Sequence, residues 1–356
     1  SINFNISFKK KITLDDQVLL TRQLYALTKA GIPIIRALNG LAESTDNDHL
    51  AEILNAIADS LIAGTDLATA FRQFPKIFSG IFVSMIHVGE NTGRLDLAFQ
   101  KLTAHLELER ETKKRIKSAT RYPMFVVSAI VLAMTVINVM VIPNFASVFA
   151  KLGADLPLAT RILMASSEFT INYWWLILLI VFGGGFAWYR YINTVDGRLW
   201  WDGKKLGLPL FGSLFKRIAL SRFARSFSMM LASGVPILKG LSIVAESVGN
   251  KSIGAAIGDM YRGVERGERL TSTAAATGLF TPLVLQMLSV GEETGSVDTL
   301  LDDVADFYEE EIDYELKQLA DSIEPILLVF LGCLVLVLAL GVFLPIWDLS
   351  GAMSSK

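Results

Sequence analysis

Two nearly identical twelve-residue stretches, VGENTGRLDLAF and VGEETGSVDTLL, carry the carboxylates that are best placed to do chemistry. They begin 202 positions apart and share six of their twelve residues. The first contains Glu90 and Asp96, and the second contains Glu292 and Asp298. A carboxylate beside a glycine-bounded turn can cap backbone N–H groups, pair with an arginine, face a partner protein, or give oxygen ligands to a hard cation such as calcium.

An ion pair needs an arginine at a matching position in each repeat, and a calcium site needs further oxygen ligands nearby. Arg22 and Arg225 lie 203 positions apart, so an ion pair of Arg22 with Glu90 would be repeated by Arg225 with Glu292. A calcium site is disfavoured, because the stretch lacks the full ligand loop of an EF-hand. The preferred interpretation is structural: two copies of one helical bundle need the same turn between helices.

The elements that position these turns belong to the same repeat. LTKAGIPIIRALNGLAES and MLASGVPILKGLSIVAES, 203 positions apart, share seven of eighteen residues. Glycine suits a left-handed helix end, and proline suits the first turn of the next helix. The repeat therefore predicts helix ends or interruptions at Gly31, Gly93, Gly234 and Gly295, and helix starts at Pro33 and Pro236.

Both halves of the chain are predicted to be all-helical. Strand-like alternation is absent, and apolar residues recur at spacings of three and four. Thr13, followed by Asp15 and Asp16, predicts a helix N-cap with negative charge in the first turn. The apolar positions that define the first half are Val18, Leu19, Leu24, Leu27, Leu50, Ile53, Leu54, Ile57 and Leu61.

Composition indicates a membrane protein. Charged residues make up 19% of the chain, against roughly 25% in soluble domains. Segments 124–142, 173–189 and 325–347 carry no charged residue, and each is close to the length that a spanning helix needs. The first and third follow the two polar halves at matching positions, so the second must return the chain across the bilayer. The sequence thus predicts an all-α membrane protein with two repeated cytoplasmic helical bundles and three transmembrane helices.

Charge predicts which side each part occupies. Residues 109–121 contain six basic residues and residues 190–225 contain eight, whereas the loop 143–172 contains two. By the positive-inside rule both bundles and the N-terminus are cytoplasmic and the C-terminus is periplasmic. Residues 302–324 hold ten acidic residues and one lysine, but acidic residues count little in that rule.

The predicted domain organisation follows from the repeat and the spans. It comprises an N-terminal tail (1–12), bundle 1 (13–121), transmembrane helix 1 (122–143), a periplasmic loop (144–172), transmembrane helix 2 (173–190), a cytoplasmic linker (191–214), bundle 2 (215–324), transmembrane helix 3 (325–347) and a periplasmic tail (348–356).

Catalytic chemistry is not expected. There is no GxxxxGK[ST] phosphate-binding loop, and the three histidines show no metal-ligand spacing. We therefore expect no catalytic, cofactor or metal site and no nucleic-acid partner. A transporter or channel built from parallel repeats is the alternative; the absence of charged residues within the spans disfavours it.

Several of these motifs point to a family. TRQLYALTKAGIPIIRALNGLAES, VGENTGRLDLAF, the arginine-rich approach to RYPMFVV and their second-half counterparts resemble the type II secretion F family, the inner-membrane platform proteins of type II secretion systems and type IV pili. Members usually carry a further N-terminal segment before the first bundle, whereas this sequence starts at SINFNISFKKKITLDDQ. The resemblance implies a non-enzymatic, multi-pass protein of the bacterial inner membrane.

The same resemblance implies the partners. Such a platform couples a hexameric cytoplasmic assembly ATPase to the extraction of pilin or pseudopilin transmembrane helices from the lipid bilayer. Other inner-membrane assembly proteins and further copies of the chain are also expected partners.

Two charged regions are candidates for partner contacts. One is the basic run of Lys113, Lys114, Arg115 and Lys117, and the other is the acidic stretch DDVADFYEEEIDYE at 302–315. They occupy corresponding regions of the two repeats with opposite charge, so they could attract each other or steer a partner. The favoured alternative is that one lies at the membrane surface and the other forms a solvated helix face.

Overall fold

The chain is described by a computed structural model that covers residues 10–143, 158–209 and 211–354. Within those ranges the regular secondary structure is helical and contains no strand. Two compact units are present. The first combines residues 1–115 with 199–313 and contains both bundles; the second combines 116–198 with 314–356.

The first bundle begins at the predicted cap. The Thr13 hydroxyl accepts from the Asp16 backbone N–H at 3.2 Å, and the Asp16 carboxylate accepts from the Thr13 N–H at 2.8 Å. This reciprocal capping box satisfies two N–H groups that the first turn leaves free. The helices are α1 (Leu14–Lys29), α2 (Ile34–Ser44), α3 (Asp48–Ile62), α4 (Leu67–Arg72), α5 (Gly80–Thr92) and α6 (Leu95–Val136).

A segment of different character joins the bundles. A π-helical turn at Ile137–Val141 ends the α6 rod, and helix α7 spans Leu158–Ile192 with non-helical angles at Tyr173. The Ser167 hydroxyl donates to the carbonyl of Asn138 in that π-turn. This hydrogen bond joins α7 to the π-turn.

Helix α8 (Val195–Leu206) lies within the stretch 191–214 that was predicted as a linker. Its Asp202 side chain is buried and accepts from the backbone N–H of Lys251 at 2.8 Å. The carboxylate thereby anchors α8 at the start of the helix that Lys251 opens.

The second bundle repeats the first. Its helices are α9 (Gly212–Leu231), α10 (Ile237–Ser247), α11 (Lys251–Glu265), α12 (Leu270–Ala276), α13 (Pro282–Thr294) and α14 (Val297–Ser354). In the two halves α1 corresponds to α9, α2 to α10, and so on to α6 and α14. The all-helical repeat predicted from the sequence is therefore confirmed for the described residues.

One apolar cluster runs through both bundles. It includes Leu24, Leu54 and Phe99 from the first and Phe223 and Leu241 from the second. Phe71 contacts Phe78 edge to face at 4.6 Å between ring centres, an arrangement that aromatic pairs favour. All the predicted apolar positions except Val18 and Leu19 belong to this cluster or pack against it. Val18 is buried outside the cluster, whereas Leu19 is 55% exposed.

Two helices of the described residues are long and apolar enough to cross a membrane, Leu95–Met140 and Met164–Ile192. The apolar windows of both are unburied. The third predicted span, 325–347, lies within α14, and its large apolar side chains at 328–331, 335 and 336 are exposed. Helices α6 and α14 continue without a break past residues 121 and 324, so a single helix runs from each bundle into the predicted span that follows it.

Candidate functional site

The repeated motif holds a glutamate against the start of a short helix. In the first bundle Glu90, near the end of α5, accepts from the backbone N–H groups of Leu67 at 2.7 Å and Ala68 at 3.2 Å. Those two residues open α4, whose first N–H groups have no partner within the helix. The carboxylate also lies at the positive end of the helix dipole. Glu90 is therefore a cap contributed from a different helix.

Glu292 repeats this arrangement with additional contacts. It accepts from the backbone N–H groups of Leu270 at 2.8 Å and Thr271 at 3.2 Å, and from the Thr271 hydroxyl at 2.8 Å. Arg269 also lies 3.5 Å from the carboxylate. Burial raises the pKa of Glu292, but the Thr271 and Leu270 hydrogen bonds and Arg269 outweigh it, so the net pKa is below the ordinary value.

Glycine shapes the turn in both copies. Gly93 and Gly295 end α5 and α13 with φ of 71° and 72°, in the left-handed region where other residues are strained. A Cβ on Gly89 would lie 2.6 Å from the Cβ of Ala98, so only glycine lets α5 approach α6 this closely. The prediction of a helix break that restarts at Leu95 is confirmed.

The other predicted helix ends are also found, with one shift. Gly31 and Gly234 adopt φ of 75° and 86°. Pro33 and Pro236 immediately precede α2 and α10, one position earlier than predicted, because each takes extended backbone angles.

The predicted ion pairs of Arg22 with Glu90 and of Arg225 with Glu292 are wrong. Both oxygens of each glutamate are already occupied by backbone N–H groups. Arg22 pairs with Glu107 instead. Arg225 pairs with Glu309, the residue 202 positions after Glu107, at 2.9 Å. The two arginines are equivalent in the repeat as predicted, but their partners are the equivalent glutamates of the last helix of each bundle, α6 and α14.

Arg225 holds a larger charge cluster than Arg22. Besides Glu309 it pairs with Asp302 and Asp306. Burial lowers the pKa of Arg225, but its bonds to Asp306 and Glu309 outweigh this and keep the net pKa above the ordinary value. Burial dominates at Glu309, where it raises the pKa of the carboxyl.

The basic and acidic stretches meet at one point. Arg115 pairs with Asp313 and, at 3.0 Å, with Glu111. Lys113 pairs with Glu109 at 2.8 Å. Arg217 of α9 pairs with Glu311. Much of the acidic stretch is therefore engaged by arginines, and Lys114 of the basic run stays exposed.

An open cavity of about 430 Å³ lies between the two bundles. His105 lines it, and its buried Nδ1 has no hydrogen-bond partner. Burial lowers the pKa of His105, Glu109 opposes that effect, and Arg222 and Arg225 reinforce it. The imidazole is therefore neutral at pH 7, and sequence reasoning, which examined this histidine only for zinc spacing, missed its place in the cavity.

Asp96 and Asp298 lie in the first turns of α6 and α14. Negative charge is favourable there because of the helix dipole. Among the described residues no group of three or more His, Cys, Asp or Glu side chains could hold a metal ion.

Comparison with known sequences decides the family. The profile of "Type II secretion system (T2SS), protein F" matches residues 20–143 and again 223–345. The chain belongs to the type II secretion system protein F family. It is 34% identical over 341 residues to the type IV pilus assembly protein PilC of Myxococcus xanthus, covering 95% of this chain and 81% of that protein.

Two further relatives represent both branches of the family. The type IV pilus assembly protein PilC of Thermus thermophilus is 35% identical over 342 residues, which are 96% of this chain and 84% of that protein. The type II secretion system protein F of Aeromonas hydrophila is 29% identical over 349 residues, 98% of this chain and 90% of that protein. The predicted resemblance is confirmed.

The family profile falls on the same two repeats that the structure shows. Each match begins inside the first helix of a bundle, at residue 20 in α1 and 223 in α9. The first match ends at residue 143 and the second at residue 345, so each includes the apolar region that follows its bundle. The family unit is thus a bundle together with its apolar extension, and the described apolar helices fit an inner-membrane component of these systems.

Proposed function

We propose that this chain is the non-enzymatic inner-membrane platform that couples a cytoplasmic assembly ATPase to extraction of pilin or pseudopilin subunits and to filament assembly. The observation that carries the proposal is the duplicated family unit, a helical bundle continuous with an apolar helix, found twice in one chain. Such a unit offers the motor a polar surface and offers the filament subunit an apolar one. Hydrolysis comes from the partner.

The polar surface also has a specific candidate contact. Lys113 and Arg115 are held in ion pairs, Lys113 with Glu109 and Arg115 with Glu111 and Asp313. Lys114 lies between them in the sequence and its side chain is exposed, so its ammonium group can contact a partner. We assign the basic contact with the motor to Lys114 and Lys117, which are both exposed, and treat Lys113 and Arg115 as structural.

The proposed topology places both bundles in the cytoplasm with the N-terminus and places the C-terminus in the periplasm after three spans. Two long apolar helices and the apolar part of α14 support three crossings. Within α7, Gly183, Gly184 and Gly185 have no other atom within 4 Å of an added Cβ, so a neighbouring helix can approach closely there. This is our proposed contact with the pilin helix.

The test is co-purification of the full-length, detergent-extracted chain with the assembly ATPase encoded beside it. We expect binding that Lys114→Glu weakens and that Lys76→Glu, a reversal at another exposed lysine, leaves intact. Glu90→Ala and Glu292→Ala should keep binding while lowering stability, since both glutamates cap helices inside the bundles. Absence of ATPase binding by a folded wild-type chain, together with normal filament assembly in cells lacking it, would overturn the platform role.

A further inference from the structure

The two bundles meet through unlike faces. Helix α5 of the first bundle lies against α9 and α10 of the second. Lys101 on α6 donates to the carbonyl of Ala232 at 3.1 Å and to the Ser233 hydroxyl at 3.0 Å. The repeat counterparts of the covering helices are α1 and α2, and the counterpart of α5 is α13. A contact between unlike faces of like domains leaves one face of each kind uncovered.

The uncovered α13 face is apolar. Ile81 and Met85 on α5 are 4% and 1% exposed, and Val88 is half-buried one turn further on. The same three positions on α13 are filled by Leu283, Met287 and Val290. Leu283 is 51% exposed and Val290 is 47% exposed. The sequence keeps this stripe apolar although, in the described part of the chain, Leu283 and Val290 are about half exposed and only Met287 is half-buried.

The α1 and α2 face of the first bundle corresponds in the repeat to the α9 and α10 face of the second bundle, which packs against α5. Ser226 on α9 is buried, and its counterpart Gln23 is exposed. Arg222 is half-buried, and its counterpart is Leu19, the one predicted core residue that lies in solvent. Leu19 and Gln23 therefore lie on the face of the first bundle that corresponds to Arg222 and Ser226 of the second.

The two free faces also fit each other sterically. Where the bundles meet, a Cβ on Gly80 would lie 3.3 Å from the Ile243 side chain, a small residue opposite a large one. The counterpart of Gly80 is Pro282 and the counterpart of Ile243 is Gly40. Nothing lies within 4 Å of an added Cβ at Gly40. The small and large partners are exchanged, so the fit is preserved.

We propose that the α13 face of one copy packs on the α1 and α2 face of a second copy, repeating between chains the contact made within the chain. The interface is heterologous, so copies join head to tail and form a closed ring when the rotation closes. This inference goes beyond the platform role and does not depend on which motor or filament the chain serves.

Cross-linking between two differently tagged full-length chains tests the geometry. Cys333 is first replaced by alanine in both, and one chain then carries Gly40→Cys while the other carries Pro282→Cys. A disulfide needs Cβ atoms about 4 Å apart. At the equivalent contact within the chain, a Cβ built on Gly80 lies 3.3 Å from Cγ2 of Ile243, so the two positions are close neighbours. We expect oxidation in native membranes to join the two tags. Ile62→Cys, on an equally exposed residue of α3, replaces Gly40→Cys in the control and should give no such band.

Other patterns of cross-linking would overturn the proposal. Pro282→Cys chains that join to one another would indicate a symmetrical interface, and a cross-link only to a different protein would assign the face to that protein. No product beyond the Ile62→Cys control would mean that the faces do not meet.

A second measurement examines assembly without cysteines. Leu283→Asp places a charge on the stripe at an exposed position, so the bundle should still fold. We expect the native mass of the detergent-extracted protein to fall to that of a smaller assembly, whereas Ile62→Asp should leave it unchanged. An unaltered mass for folded Leu283→Asp would contradict the docking face.

Discussion

Glu90 and Glu292 each cap the start of a short helix, but the residue at the N-cap position differs between the two helices. In the first bundle Asp66, the N-cap of α4, accepts from the Thr69 N–H at 2.9 Å, so Glu90 shares the capping with a second carboxylate. In the second bundle the N-cap position is Arg269, which makes no side-chain cap. Among the described residues, Glu292 is therefore the only carboxylate that accepts from the first backbone N–H groups of α12.

This difference predicts unequal costs of removing the two glutamates. Glu292→Ala should lower the free energy of unfolding by about 1–2 kcal/mol, and Glu90→Ala by about 0.5–1 kcal/mol, the range for lost helix caps. Denaturant unfolding of the extracted chain, followed by circular dichroism, measures both. Glu310→Ala, at an exposed position on α14, is the control and should stay within about 0.5 kcal/mol of wild type. Equal costs would show that Asp66 contributes nothing to the α4 cap.

The lowered pKa of Glu292 predicts the pH range in which this cap acts. A carboxyl whose pKa is lower in the folded state stabilises the fold above its unfolded value, near 4.5, and loses that contribution as pH falls through the folded value. Glu292→Gln should therefore be less stable than wild type at pH 7. The gap should close below about pH 4. Unfolding midpoints of both proteins across that pH range measure this difference in stability. A difference that does not change with pH would show that the charge of Glu292 does not cause it.

At the scale of helices, Arg225 joins α9 to α14 and Arg22 joins α1 to α6, with different burial. The Arg225 side chain is 19% exposed and has three carboxylate partners, whereas that of Arg22 is 59% exposed and has one. Exposed pairs contribute little, and a buried carboxylate that loses its partner is costly.

Arg225→Gln should accordingly cost about 2–4 kcal/mol, because Glu309 would be left half-buried without its cation. Arg22→Gln should cost at most about 1 kcal/mol. The unfolding free energies of both variants test this contrast. Adding Glu309→Gln to Arg225→Gln should recover part of the loss, and the absence of any recovery would place the cost elsewhere in the cluster.

The turn between α5 and α6 gives a further prediction for this scale. Gly89→Ala would force the new methyl against Ala98, so we expect a loss of about 1–3 kcal/mol, as in other overpacked sites. Gly258→Ala on α11 meets only Arg262 at 3.8 Å and should be neutral or stabilising by up to about 1 kcal/mol. Thermal unfolding midpoints compare the two. A harmless Gly89→Ala would mean that the turn opens freely.

Sequence predicted the features whose causes are local. Glycine at 31, 93, 234 and 295 can take a positive φ, so the helix ends followed from residue type. The partner of Arg22 did not follow, because Glu90 and Glu107 both have counterparts 202 positions later and only packing selects between them. The exposure of Leu19 did not follow either, since periodicity identifies a face without telling what covers it.

At the scale of the whole molecule, the number of crossings is the main prediction. Alkaline phosphatase, which is active only after export, should be active when fused at position 150 and at the C-terminus. Green fluorescent protein, which is fluorescent in the cytoplasm, should report at position 208. Inactive phosphatase and a fluorescent protein at the C-terminus would reduce the spans to two and place both termini on one side.

The apolar cluster shared by the bundles has a consequence for work on fragments. A first bundle excised from the chain would lose the contact of α5 with α9 and α10, the helix face that carries Ile81, Met85 and Val88. Such a fragment exposes the apolar α5 face, which is in contact in the intact chain, as well as the α1 and α2 face, which is exposed there. Dimers of the fragment, or its capture of another protein, would then report the severed intrachain contact, and only the uncut chain reveals which surface the cell uses.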